Sequence, residues 1–90
     1  MNGKAYLDLV RRQPCSCCGA AAPSFSHHPR EGQGGAQKAD DFLAIALCYE
    51  CHQGVAGIHG NRSLMRIYKK SEMDMIAVTV RNVVNYLEAV

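Results

Sequence analysis

The sequence predicts a small α+β domain in which two short strands and a helix are held together by a bound zinc ion. Three observations lead to this prediction: two Cys-x-x-Cys pairs, short apolar stretches beside and between them, and helical apolar spacing near both ends. A chain of 90 residues has room for about one domain and a modest core. We therefore predict a single domain over residues 1–90, with its core at 15–59 and a helical extension at 61–90.

Local patterns place the helices and strands around that core. We predict helices over residues 3–12 and 49–55, and a third helix that Asn61 or Ser63 caps and that ends near residue 70. We also predict strands over 24–28 and 42–47 and a glycine-containing loop over 29–40. Asn2 can cap the first helix. Ser71 and Asp74 resemble a capping box at the start of a final helix. Its inward stripe would consist of Met73, Ile76, Ala77, Val80, Val83, Val84 and Leu87. Because β-branched residues are frequent there, a strand over 78–84 is the alternative.

Composition limits the classes of function. No apolar signal segment follows Met1 and no run of ~18 apolar residues could span a membrane, so we expect a cytoplasmic protein with no membrane partner. With reduced thiols, Cys-x-x-Cys pairs bind zinc more often than they form disulfides. The formal charge is +2, and zinc held by four thiolates would bring it close to zero. Binding to nucleic acid would therefore need a local cluster of Arg and Lys.

Four of the five cysteines have the spacing of a structural zinc site. They would supply four thiolates in a closed tetrahedral arrangement, from the pairs Cys15 with Cys18 and Cys48 with Cys51. A closed site of this kind stabilises a fold and leaves no position for a substrate. Cys17 is the alternative to Cys18, but Gly19 stands where the turn after Cys18 needs a glycine. We therefore expect Cys17 to be a free thiol.

All four histidines lie in or beside the same core. His27 and His28 lie on the first predicted strand, His52 directly follows Cys51, and His59 lies in the glycine-rich segment beyond. Zinc at the cysteines would bring the strand and the helix together, so that their histidines face one another. Each part alone has an ordinary explanation as a polar surface or a polar cap. Their order along the chain favours a second site that carries chemistry.

These residues resemble the HNH, or ββα-metal, nuclease superfamily, and more narrowly its small phage and prophage members, among them the RecA-dependent Ref-like nucleases. The resemblance rests on Ser-His-His-Pro at 26–29, Gly-Gln-Gly-Gly at 32–35, Asp-Phe-Leu at 41–43 and Leu-Cys-x-x-Cys-His at 47–52. It covers residues 15–59 well and the rest less specifically. It implies a zinc-stapled ββα-metal core, with a flanking N-terminal helix and C-terminal helices, that hydrolyses phosphodiester bonds in DNA.

The resemblance also implies roles for single residues. His28 would be the general base that activates water, because histidine can accept a proton near neutral pH. Asp41 stands near the family's middle asparagine, which fixes the orientation of that base. His27 and His52 would bind a catalytic divalent ion, Mg²⁺, Mn²⁺ or Zn²⁺, which polarises the scissile phosphate.

The third metal ligand departs from the family pattern. Members commonly place it four residues after the first helical histidine, where this chain has Ala56, which cannot ligate. His59 would lie on the same face of a continuous helix, but Gly54 and Gly57 argue against such a helix. We therefore expect His59 to reach the ion from an irregular turn.

Basic side chains near the histidines are the candidate DNA contacts. They could contact backbone phosphates without reading bases, and they are Arg30, Lys38, Arg62 and Arg66. Lys69 and Lys70 extend this set, although an ordinary solvated surface is the preferred interpretation for each of them. The resemblance further implies a recombinase or another phage recombination protein as partner.

Three functions stay open on the sequence alone. The first is a metal-dependent HNH endonuclease acting on DNA. The second is a zinc-stapled nucleic-acid-binding module without cleavage activity, which would have no need of His28. The third is a protein-interaction zinc finger, which predicts no second metal site.

Overall fold

A computed structural model describes residues 1–30 and 38–89 as an α+β arrangement, which confirms the predicted class. The elements are helix α1 (Gly3–Arg11), strand β1 (Phe25–His27), strand β2 (Ile45–Leu47), helix α2 (Tyr49–His52), helix α3 (Ser63–Ile67) and helix α4 (Glu72–Glu88). A 3-10 turn, Asp41–Leu43, precedes β2. Most of the loop predicted over 29–40, with the Gly-Gln-Gly-Gly motif at 32–35, lies outside the described residues.

Helix α1 begins at the predicted cap. The Asn2 side-chain oxygen accepts a hydrogen bond from the Ala5 backbone amide at 2.8 Å, which satisfies one of the free donors of the first helical turn. Tyr6 and Val10 are buried and face the sheet. The helix therefore covers one side of β2 with its apolar face.

The two strands form one antiparallel sheet with β2 at the centre of the molecule. Phe25 pairs with Leu47, and His27 pairs with Ile45. Successive side chains of a strand point to opposite faces. Ile45 and Leu47 accordingly pack among the cysteines and buried methionines, while Ala46 faces the cluster that contains Tyr6, Val10 and Val83.

The second strand is shorter than the predicted 42–47. The Asp40 carboxylate accepts a hydrogen bond from the Phe42 amide at 2.9 Å and turns the chain before β2 begins. The Phe42 ring then packs against the Tyr6 ring, with centroids 5.0 Å apart. Asp41 is thereby placed on the turn that precedes β2. Helices α2 and α3 likewise end before the predicted residues 55 and 70.

Helix α4 is a helix over its full length, so the alternative strand over 78–84 is wrong. The predicted capping box is present: the Asp74 amide donates to Ser71 Oγ at 3.0 Å, and the Ser71 amide donates to Asp74 Oδ2 at 2.9 Å. None of the helices in the described part of the chain is long and apolar enough to cross a membrane.

The buried face of α4 differs from the predicted stripe. Met73 is 73% exposed, and the face that is buried consists of Glu72, Met75, Thr79 and Val83. The Thr79 hydroxyl accepts from the Ala46 amide at 3.1 Å and donates to the Met75 carbonyl at 2.8 Å. Two polar residues thus belong to the buried face because each has partners there, and an apolar pattern alone could not identify them.

Candidate metal centre and histidine site

The two cysteine pairs meet at one point. The Sγ atoms of Cys15, Cys18, Cys48 and Cys51 all lie within 4.8 Å of one another. Those of Cys18 and Cys48 are 3.7 Å apart, and a tetrahedral zinc ion with Zn–S bonds near ~2.3 Å places its sulfurs ~3.8 Å apart. All five cysteines are free thiols. The cluster therefore fits a structural zinc ion.

Short turns bring the thiols together. The Cys15 amide donates to the Ala20 carbonyl at 2.9 Å, and the Gly19 amide donates to the Cys15 carbonyl at 3.0 Å. Gly19 has a φ of 82°, a conformation that glycine adopts without a steric penalty. On the other side, Cys48 follows β2 directly and occupies the position before α2, whose single turn carries Cys51. The zinc site thus joins the chain before β1 to the helix after β2.

Burial and backbone donors act in opposite directions on the thiols. Burial raises the pKa of Cys15, but the amides of Cys18, Cys48 and Cys17 outweigh it and the pKa is lowered to about 7. Burial raises the pKa of Cys51, and the charge of Cys15 raises it further. One of the four thiols therefore loses its proton easily, whereas the loss of all four protons needs a bound cation, as expected for a zinc site.

Cys17 lies outside the group of four. It is buried, its Sγ lies 3.9 Å from the Leu64 carbonyl oxygen, and burial raises the pKa of its thiol. The geometry therefore favours Cys18 over Cys17 as the partner of Cys15, as the sequence predicted.

Three histidines form a second group of possible metal ligands. His27 ends β1, His52 ends α2, and His59 lies in the turns beyond, and one ligand atom from each lies within 4.8 Å of the others. The Nε2 atoms of His52 and His59 are 3.2 Å apart, close to the ~3.3 Å expected for two nitrogens on one tetrahedral zinc ion. These three residues therefore fit a divalent ion.

An irregular turn carries His59 back to the site, as predicted. The Ile58 amide donates to the Cys51 carbonyl at 2.7 Å, and the His59 amide donates to the His52 carbonyl at 3.1 Å. A Cβ atom on Gly57 would lie 2.8 Å from the Cys51 carbonyl carbon. Only glycine therefore permits this close approach of the turn to α2.

Burial keeps two of these imidazoles neutral. It lowers the pKa of His27 to about 4, against a smaller opposing effect of the hydrogen bond with Glu72. Burial also lowers the pKa of His52, and the neighbouring His59 lowers it further. Metals bind the neutral form of histidine, so both residues have a free lone pair at neutral pH.

His28 and Asp41 form a separate hydrogen-bonded pair. His28 follows the last residue of β1, and its Nε2 lies 2.8 Å from Asp41 Oδ1 on the 3-10 turn. Donation from Nε2 to the carboxylate leaves Nδ1 of the neutral ring as a proton acceptor. The structure thus brings together the two residues that the resemblance implied as base and orienting group.

Glu72 is the member of this region that the sequence analysis missed. It is 2% exposed, and its Oε2 lies 3.3 Å from Nε2 of His27. Both of its carboxylate oxygens also accept from the Arg30 amide at 3.2 Å. A glutamate in the first turn of a helix commonly stays in solvent and favours the helix N-terminus, so its position in the sequence does not distinguish it. The sequence offers one sign that Glu72 has a role other than capping, because Ser71 and Asp74 complete the capping box without Glu72.

The predicted DNA contacts are not all in one place. Arg62 and Arg66 line an open groove of about 390 Å³ together with Met65, Lys69, Lys70 and Ser71. Arg62 and Lys69 have φ values of 65° and 55°, an uncommon conformation for residues other than glycine. Arg30 and Lys38 are exposed and do not line this groove.

Comparisons with known proteins give a family but name no activity. The model of the family described as protein of unknown function (DUF968) matches residues 1–77. The uncharacterized protein YdfU of Escherichia coli (strain K12) is 42% identical over 48 residues, which cover 52% of this chain and 14% of YdfU. The matched segment is thus a small part of that relative. No solved structure matches the chain. Because the family model covers most of its length, this chain belongs to the DUF968 family.

Proposed function

We propose that this chain is a metal-dependent HNH-type endonuclease, of the kind found in phages and prophages, that hydrolyses phosphodiester bonds in DNA. The observation that carries the proposal is the hydrogen-bonded pair of His28 and Asp41 on a chain that also holds a three-histidine cluster. A structural zinc site needs neither group. Together they supply what metal-assisted hydrolysis requires: a base for water and a site for a divalent ion.

His28 has the features of a general base. Its Nε2 donates to Asp41, which fixes both the ring orientation and the tautomer, so that Nδ1 takes the proton of the attacking water. The water oxygen then bonds to phosphorus as the bond between phosphorus and the leaving oxygen breaks. Because His28 lies just beyond the end of β1, the alternation of side chains along the strand does not force it away from His27.

The catalytic metal would be held by His27, His52 and His59. A divalent ion bound there would supply Lewis acidity to the phosphate and would stabilise charge on the leaving oxygen. Burial lowers the pKa of both His27 and His52 and so keeps these two ligands neutral. The order β1, β2, α2, with histidines at the ends of β1 and α2, supports the interpretation of this region as a ββα-metal core stapled by zinc.

The basic groove gives the DNA backbone a place to bind. Arg62 immediately precedes α3 and lies three positions beyond His59. At the other end of the groove, Ser71 precedes Glu72, which contacts His27. Both ends of the groove are therefore tied to the histidine region through the chain. Contacts of this type hold phosphates and carry no sequence information.

A cleavage assay with His28→Ala tests the proposal. A general base contributes ~10²–10⁴-fold, so zinc-loaded His28→Ala should cut plasmid and single-stranded DNA slower by that factor in Mg²⁺ or Mn²⁺. Its metal content and DNA affinity should match the wild type. His52→Ala should lose the second metal together with activity. Full activity in His28→Ala would contradict the proposed mechanism.

The basic groove by itself also favours the second candidate, a zinc-stapled nucleic-acid-binding module without cleavage. That protein would bind DNA but cut none of these substrates, with or without a recombinase filament. Cleavage that appears only with the filament would instead support the endonuclease and identify the recombinase as its partner.

A further inference from the structure

Glu72 is a buried carboxylate that the hydrolytic steps above do not use. It enters the protein interior from the first turn of α4, and it is 2% exposed. An ionised carboxylate in such a place is costly unless it is hydrogen-bonded. Here it contacts the His27 ring and the Arg30 amide, two partners from one short segment of the chain.

We propose that Glu72 positions His27 for metal binding by accepting a hydrogen bond from the Nε2–H group of its ring. A neutral imidazole has one N–H and one lone pair, so donation from Nε2 leaves the lone pair on Nδ1 for the metal. Carboxylates that fix a ligating histidine in this way raise its basicity and typically change metal affinity 10–100-fold. The inference rests on the three-histidine metal site of the proposed function, and not on hydrolysis.

The contact with Arg30 gives Glu72 a second effect. The carboxylate binds the ring at position 27 and the backbone at position 30, and the proposed base His28 lies between them. The capping box of Ser71 and Asp74 fixes the start of α4 and therefore the place of Glu72. Helix α4 thus holds the segment that leaves β1, although it comes 45 residues after His27.

A Co²⁺ titration of the full chain, with zinc already at the cysteines, measures this role. Glu72→Gln keeps the shape of the side chain and an oxygen that can accept from Arg30, but it removes the charge. We expect its Co²⁺ affinity, followed by the visible absorption of the bound ion, to fall by ~10–100-fold while the zinc content stays at one per chain. Glu88→Gln is the matched control, since it makes the same change at an exposed glutamate at the other end of the same helix. It should leave both the zinc content and the Co²⁺ affinity unchanged.

The tautomer of His27 provides a measurement that does not depend on stability. In the metal-free histidine site, ¹⁵N chemical shifts of the ring should show the proton on Nε2 in the wild type. The inference would be overturned by any of three results. These are a proton on Nδ1 of His27, an unchanged Co²⁺ affinity in Glu72→Gln, and a wild type that binds no Co²⁺ beside the zinc. If the wild type binds Co²⁺ and Glu72→Gln weakens that binding as expected, the role of Glu72 is supported. If the same wild type cuts no DNA, only the endonuclease proposal is refuted.

Discussion

Gly3 is expected to control the geometry of the proposed base, although it lies at the start of α1. A Cβ atom at this position would lie 2.9 Å from the Cβ of Asp41 and would also collide with Asp41 Oδ2. Carbon atoms in contact settle at ~3.5–4.0 Å, so the Asp41 side chain of Gly3→Ala would have to move by ~0.8 Å.

That displacement is large enough to break the hydrogen bond with His28. A shift of this size along the bond lengthens the present distance of 2.8 Å between His28 Nε2 and Asp41 Oδ1 to ~3.6 Å, which is outside the range of a hydrogen bond. Misplacement of a catalytic group by ~1 Å can cost ~10²-fold in rate. We therefore expect Gly3→Ala to lower kcat for DNA cleavage by ~10²-fold. Helix α1 itself should gain stability, because alanine is favoured over glycine in helices by up to ~1 kcal/mol.

The assay combines cleavage kinetics, thermal unfolding and ¹⁵N shifts of the His28 ring. Gly3→Ala should keep the zinc and the Co²⁺ affinity of the wild type and should not melt at a lower temperature, yet it should lose cleavage and the shift signature of a hydrogen-bonded Nε2–H. Lys4→Ala, at the exposed neighbouring position, is the control and should behave as wild type. Wild-type kcat together with unchanged His28 shifts in Gly3→Ala would refute this reasoning.

Two further predictions concern the zinc site and the basic groove. Structural zinc binds with an apparent ~10–16 kcal/mol, comparable to the whole stability of a small domain. Cys48→Ser should therefore lack zinc and be unfolded by circular dichroism, whereas Cys17→Ser should remain folded with one zinc per chain; zinc loss from Cys17→Ser would mean that the ligand set is wrong. For the groove, the measurement is the slope of log K against log salt for binding to duplex DNA, with His28→Ala present in every protein to prevent cleavage. Adding Arg66→Gln or Lys69→Gln should make this slope shallower by ~0.9 for each phosphate that the variant no longer neutralises. Equal slopes in these variants and in Arg81→Gln, an exposed control on α4, would exclude the groove as the binding site.

The sequence alone determined the parts of this protein that depend on short spacings. A Cys-x-x-Cys turn brings two thiols together whatever surrounds it, so four zinc ligands could be named from the order of residues. The caps at Asn2 and Ser71 were equally predictable, because each involves atoms three residues apart. The expected third ligand His59 depended on the glycines around it, which are also local features.

Only the tertiary structure decided how distant polar groups meet. Glu72 contacts His27 across 45 residues of chain, and the Thr79 hydroxyl contacts the Ala46 amide across 33. Of the stripe predicted from hydrophobic periodicity, only Val83 lies on the fully buried face of α4, because periodicity counts a buried polar residue as exposed. A polar side chain is stable in the interior when a particular partner is present there, and that partner is fixed by the packing of elements far apart in sequence. The sequence therefore determined which atoms could bind metal, and the packing of α4 and α1 against the sheet decided which side chains hold the histidines and Asp41 in position.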